Sequence, residues 1–166
     1  ALARTGSDGL VFVPALAGQM TPVWRPEVRA GLYGLSLAHG VGNIASAIFE
    51  GLTFATRDVT ERLRAMGLAF AEVLLVGGGA RARGWCQLRA DVLGLRHRVA
   101  ANVDGSPLAA AMIAGVAAGA FPDLPSAAAL VPPPTVAYEP SPSAALEEAY
   151  RRYQALIAGI GRSADV

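Results

Sequence analysis

Residues 72–76, EVLLV, run without a break into Gly77-Gly78-Gly79, and a helical pattern begins near Arg83. A short apolar strand followed at once by three glycines and a helix restricts the fold more than any other stretch of this chain. Glycine has no Cβ, so the backbone can turn sharply there and let a ligand come close. The helix that follows points unpaired N–H groups and the positive end of its dipole back at the turn. Such a unit is either a nucleotide-binding turn or a tight strand-to-helix turn that binds nothing. Gly77, Gly78, Gly79, Ala80, Arg81 and Ala82 are the residues in question, and the rest of the chain has to decide between the two.

Known glycine loops can be compared with it. Gly77-x-Gly79-x-x-Ala82 formally satisfies the dinucleotide pattern G-x-G-x-x-A, which would make the chain an NAD-type oxidoreductase module. That pattern expects an acidic residue about 20 positions on, at the end of the next strand. Asp104 lies 27 positions after Gly77, whereas the strand ends nearer Ala101. Roughly 70 residues also precede the unit, where a dinucleotide domain usually begins with it. A phosphate loop ending in Gly-Lys-Ser/Thr is absent. The remaining use of such a turn is in the actin-like ATPase fold, whose second lobe sets a glycine-rich strand-to-helix turn against the adenosine.

The other elements alternate in a way that predicts an α/β fold. GLVFVPAL (9–16) reads as a strand, and LYGLSL (32–37) as a second one after a proline-containing loop. Ile44, Ile48, Leu52, Ala55, Val59, Leu63 and Met66 recur at intervals of three and four, which predicts a long amphipathic helix with Asn43 as N-cap and Gly67 just past its end. After the glycine turn, a helix over Arg83–Leu93 should point Trp85, Leu88 and Val92 inward, and 96–101 reads as a strand. Ser106-Pro107 predicts the start of a helix over Leu108–Ala118 that is apolar all round, hence buried. Residues 120–142 hold seven of the eleven prolines, which predicts an extended connection along the surface. Ser143 should cap a final helix to about residue 160, with Leu146, Tyr150, Tyr153, Leu156 and Ile157 on one side. The whole of 1–166 is expected to form a single domain.

Composition excludes several classes. The chain is 53% hydrophobic and 16% charged, too apolar for a disordered segment. That is also apolar enough to predict a surface that faces a partner. A net charge of +1, from 14 Lys+Arg and 13 Asp+Glu, gives no basic footprint for nucleic acid. No apolar run reaches membrane-spanning length. One cysteine, Cys86, rules out an internal disulfide or a thiolate metal cluster and suits a reducing cytoplasm. A chain that begins at Ala1, without an initiator residue, is expected to have sequence upstream.

AGLYGLSLAHGVGNIASAIFE (30–50) carries the most distinctive pattern. Ala30, Leu32 and Gly34-Leu35 are followed seven residues on by Asn43-Ile44, then by Ala47-Ile48-Phe49-Glu50. This resembles the second signature segment of the FGGY sugar kinases. GLVFVPALAG with TPVWRPEVRAG, VGGGARARGWCQLRADVLG and SPLAAAMIAGVAAGAF resemble further stretches of that family, the second in its xylulokinase version, over about residues 9–121. There are departures. Gln19-Met20 stand where Glu-Arg is usual, Arg25 where Asp is favoured, Ala82 where Ser or Asn is usual, and Ala109 where Gly is usual.

The resemblance implies the C-terminal lobe of an actin-like ATPase (ribonuclease H-like) fold, with a mixed sheet flanked by helices. It implies an ATP-dependent kinase that phosphorylates a sugar or polyol, D-xylulose first, with glycerol, gluconate and L-ribulose as alternatives. The adenosine pocket would be Gly77, Gly78, Gly79, Ala80, Arg81 and Ala82. Mg2+ would be held mainly by substrate phosphates and by an N-terminal lobe outside this chain. That lobe would also carry the general-base aspartate and most sugar contacts, so no catalytic residue is nominated here. The implied partners are that lobe, ATP or ADP, the sugar and, for a homodimer, a second copy; nucleic acid and membrane are not among them. A folded, non-catalytic binding or assembly fragment without ligand is the further alternative, which Ala82 and the upstream part outside this chain leave open.

Other residues take plainer roles. Asp8, Asp58, Asp91, Asp104 and Asp123 read as caps or surface charges. His39 and His97 lack acidic partners in sequence, and Trp24, Trp85, Cys86, Tyr150 and Tyr153 read as packing residues.

Overall fold

A computed structural model describes residues 6–101, 104–134, 136–141 and 143–163. The chain gathers into two compact units. One comprises Ala1–Phe70, Asp91–Gly94 and Ser141–Val166, and the other Ala71–Ala90 and Leu95–Pro140.

The first unit pairs strand β1 (Val11–Val13) with β2 (Gly31–Tyr33) antiparallel, Val11 opposite Tyr33. Helix α1 (Val41–Ala65) packs along β1. Its N-cap is Gly40, not Asn43. Asn43 occupies the third helical position, from which its side-chain oxygen accepts the Gly40 N–H at 2.9 Å while its Nδ2 donates to Asp8 Oδ2 at 2.7 Å. The expected start is displaced because the asparagine reaches back to the cap instead of forming it. At the other end Gly67 has φ +87°, and its N–H and that of Leu68 return to Arg64 and Leu63, as the expected glycine terminator requires.

The face of α1 buried most deeply is Asn43, Ser46, Ala47, Gly51, Thr53 and Phe54, whereas the predicted stripe through Ile48, Leu52, Ala55 and Val59 is half-buried. Close approach decides this. A side chain at Gly51 would run into the Phe12 carbonyl, so the helix can lie this near β1 only on its small-residue face. Helix α5 (Ala144–Ser163) completes the core. Ser143 Oγ accepts the Leu146 N–H at 3.1 Å, the cap the sequence predicts. Tyr150, Tyr153 and Ile157 are buried, and the rings of Tyr150 and Tyr153 lie 5.6 and 5.5 Å from that of Phe54. The Tyr150 hydroxyl donates to Asp58 Oδ1 at 2.6 Å.

In the second unit β3 (Glu72–Leu75) runs parallel to β4 (Arg96–Val99), and β5 (Val136–Tyr138) adds antiparallel to the far side of β4. Helix α2 (Arg83–Leu93) follows the glycine turn; within this unit it buries Cys86 and Ala90, while Trp85 and Leu88 are half-buried. The core of this unit is Leu75, Ala80 and Cys86, lined by Val73, Val99 and Tyr138.

Two expectations are corrected here. The proline-rich stretch is not one extended connection. It contains α4 (Leu124–Ala128), whose N-cap Asp123 accepts the Ser126 N–H at 2.8 Å, and β5. Proline at the second helical position of α4 suits a first turn, and V-A-Y has the ladder donors that a proline would remove. Second, α3 (Gly105–Ala117) starts at N-cap Asp104, ahead of Ser106, and has no buried residue; Ile113 is 59% exposed. Phe121 fills the notch over Gly115, and α4 lies alongside. A helix apolar all round announces burial without saying which element supplies it.

Candidate functional site

The glycine turn is fixed at both ends. Leu75, the last residue of β3, is buried opposite Val99, and its carbonyl accepts the Ala100 N–H at 3.0 Å. Gly77 then takes φ +80°, in the left-handed region that side chains disfavour. Gly78–Arg81 make one 3-10 turn, with Ala80 N–H on the Gly77 carbonyl at 3.1 Å and Ala82 N–H on the Gly79 carbonyl at 3.3 Å. Ala80 is the buried peg of the loop. Beneath it the Cys86 thiol donates to the Ala80 carbonyl at 3.4 Å, and burial pushes that thiol's pKa up, so it is a packing group and not a nucleophile.

The outer side of the turn is open. A Cβ placed on Gly77 or Gly78 would meet no atom within 4 Å. At Gly79 it would come 3.1 Å from the Trp85 ring, which the Arg89 guanidinium covers at 3.7 Å. The six predicted residues thus form one turn, with Gly78, Arg81 and Ala82 exposed, Gly77 and Gly79 half-buried and Ala80 inside. Ala82 directly precedes α2, and its carbonyl accepts the Cys86 N–H at 3.0 Å, which makes it the helix N-cap. Serine or asparagine there would cap α2; alanine leaves that side-chain bond unmade.

Sequence reading missed one neighbour of this turn. Asp104, taken as a cap or surface charge, does stand at the N-cap of α3, but its side chain makes no capping bond. Its carboxylate instead accepts Arg81 Nη2 at 3.1 and 3.2 Å. Nothing in the 23-residue separation announces this; the parallel pairing of β3 and β4 brings the two loops to the same sheet end.

The remaining aspartates behave as caps or partners. Asp8 accepts Asn43, Asp58 accepts Tyr150, Asp91 accepts the Ser141 N–H at 2.8 Å, and Asp123 caps α4. His39 bonds Ser36 and the Asp8 carbonyl, whereas buried His97 bonds the Leu95 carbonyl at 2.8 Å and is held below its ordinary pKa by burial. Trp24 is 65% exposed and not packed as expected, while Arg25 donates to the Ile157 carbonyl at 3.3 Å. Among the described residues no group of three His, Cys, Asp or Glu side chains is placed to hold a metal, and no helix is long and apolar enough to cross a membrane.

Residues 1–118 match the family model for the FGGY family of carbohydrate kinases, C-terminal domain. The chain belongs to that family. It is 32% identical to a xylulose kinase from Staphylococcus epidermidis over 73% of this chain and 24% of that protein. It is 37% identical to glycerol kinase 3 of Streptomyces avermitilis over 74% of this chain and 25% of that one. Its fold matches a Plasmodium falciparum glycerol kinase solved with ADP, with TM-score 0.75 and 21% identity over 97% of this chain and 32% of the other. The chain spans about a quarter of the length of the curated relatives it matches. The mixed sheet and flanking helices are those of the actin-like ATPase fold, and β5 antiparallel on β4 does not continue the parallel sheet that the dinucleotide alternative would need.

Proposed function

We propose that this chain is the nucleotide-gripping part of an ATP-dependent kinase that phosphorylates a sugar or polyol hydroxyl. D-xylulose ranks ahead of glycerol and gluconate because the GGGAR–W–Q–ADVLG stretch has the xylulokinase form. The observation that carries this reading is the open, glycine-only outer side of the turn at Gly77 and Gly78, set between a buried strand end and the start of α2. Bare backbone there leaves room for a purine and ribose to lie flat against the chain. The fit favours adenosine over triphosphate. The turn has one cation, Arg81, already engaged by Asp104, and no lysine.

In this reading the chain's residues bind and orient the nucleotide. ATP supplies the phosphoryl group, and in-line transfer to the hydroxyl needs a general base and lobe closure that come from the remainder of the polypeptide. Mg2+ would rest on the phosphates and on that remainder. The bare apolar face of α3 suits a part that works against another. A reducing, cytoplasmic setting belongs to the same reading.

Calorimetric titration with ADP and ATP, with and without magnesium and with NAD as control, tests it. Adenine nucleotides should bind, and Gly78→Val should remove at least 10-fold in affinity, on the order of 1.4 kcal/mol. Since a Cβ at Gly78 touches nothing in the chain itself, the loss would report on ligand space and not on folding. Preference for NAD, or full affinity in the valine variant, would defeat the assignment.

A further inference from the structure

We propose that Asp104 is a positioning residue for the nucleotide turn, acting through Arg81. A loop with three glycines in sequence has high backbone freedom, and anything that orders it before the ligand arrives lowers the cost of binding. The turn is pinned on its inner side by Ala80, buried over Cys86. On its outer side a Cβ at Gly77 or Gly78 would meet nothing, and Ala82 has no side-chain bond to offer α2. The polar tether found there is the Arg81–Asp104 pair, in which one guanidinium nitrogen lies 3.1 and 3.2 Å from the two carboxylate oxygens.

Asp104 makes this contact from the N-cap position of α3. Aspartate at an N-cap ordinarily accepts a first-turn N–H of its own helix. Asp104 sits at that position and does not make the bond. Its neighbour Gly105 is placed so that a Cβ would lie 3.8 Å from Val76, the residue that leads into the glycines. The start of α3 and the mouth of the turn therefore adjoin, and the carboxylate is directed to the turn. The pair is exposed, 63% for Arg81 and 62% for Asp104. Its effect is then that of a surface ion pair, which limits the change in affinity to about five-fold and makes it salt-dependent.

This inference rests on the adenosine reading for its consequence but not for its detection. In the intact kinase, Asp104→Asn and Arg81→Gln should each weaken ADP binding by roughly three- to five-fold at low salt, with the difference shrinking as salt rises. The KM for ATP should rise by more than kcat changes. The double variant should bind no worse than either single one, since both remove the same contact. Tighter ADP binding in Asp104→Asn would overturn the proposal, because the carboxylate would then be competing with phosphate for Arg81. So would a further loss on adding Arg81→Gln to Asp104→Asn, which would make Arg81 a nucleotide contact in its own right. Hydrogen exchange of the 78–82 amides without nucleotide gives a reading that does not depend on the ligand. Faster exchange in both variants supports the tether even if no nucleotide binds, in which case the adenosine assignment alone fails; unchanged exchange sinks the tether whatever binds.

Discussion

In the unit built on α1 and α5, Phe54 is clasped by Tyr150 and Tyr153 at 5.5–5.6 Å, and a charged rim of Arg57, Glu147 and Asp58 closes over the rings. In the unit built on β3, β4 and β5 the buried cluster is Leu75, Ala80 and Cys86, and its helix α3 buries no residue. Large aromatic side chains remove far more apolar surface from water than alanine and cysteine do. The first unit therefore carries most of the cohesion, and the second carries the open turn and its tether. A binding surface of bare glycine backbone needs small neighbours, and small neighbours give a thin core.

The comparison can be broken most sharply by truncating one side chain in each unit. Phe54→Ala removes a ring that is 2% exposed and should cost about 3–5 kcal/mol, read as a lower urea midpoint with faster hydrogen exchange across α1 and α5. Ile113→Ser, on the bare face of α3, should stay within about 0.5 kcal/mol of wild type in the same measurement. A comparable loss from both would mean that α3 has cover in solution.

A gain sharpens the contrast from the other side. Ala82→Ser supplies the missing cap of α2 and should stabilise the second unit by about 0.5–1 kcal/mol, seen as slower exchange of the Arg83–Cys86 amides. No change there would mean that residue 82 is not the cap.

The smallest effect is a pH dependence in the first unit. Burial raises the Glu50 carboxyl above its ordinary value of 4.5, against bonds from Ser7 that lower it. A raised folded-state pKa gives stability that is fully present below the unfolded value and is lost as pH rises through the folded one. Glu50→Gln does not titrate, so its melting temperature should gain on wild type as pH goes from about 4 to about 7. A variant that loses ground to wild type over that range would refute the burial argument.

Much of this was legible in the chain. The order of β1 to β4 with α1, α2, α3 and α5, the terminator Gly67, the Ser143 cap and the Tyr150–Tyr153 packing face all follow from local rules of backbone geometry and periodicity. Gly77 to Ala82 could be picked out because few uses exist for three glycines between a strand and a helix. Other features were hidden. The buried face of α1 is set by how near β1 comes, which a hydrophobicity pattern does not record. V-A-Y within a proline-rich stretch is too short to be told from loop until β4 offers it an edge. Asp104 looked like an ordinary cap, since nothing local ties it to an arginine 23 residues earlier.

By itself, then, the sequence determined what depends on neighbours along the chain: the main element types, the ends marked by Gly67 and Ser143, the glycine turn and the family pattern over 30–50. Tertiary structure alone decided which faces met, where Arg81 found its partner, and that α3 stayed bare in the described chain. The physical reason is one of range. Dihedral preferences and caps act over three or four residues, whereas close approach and ion pairing act between segments that only the folded sheet brings together.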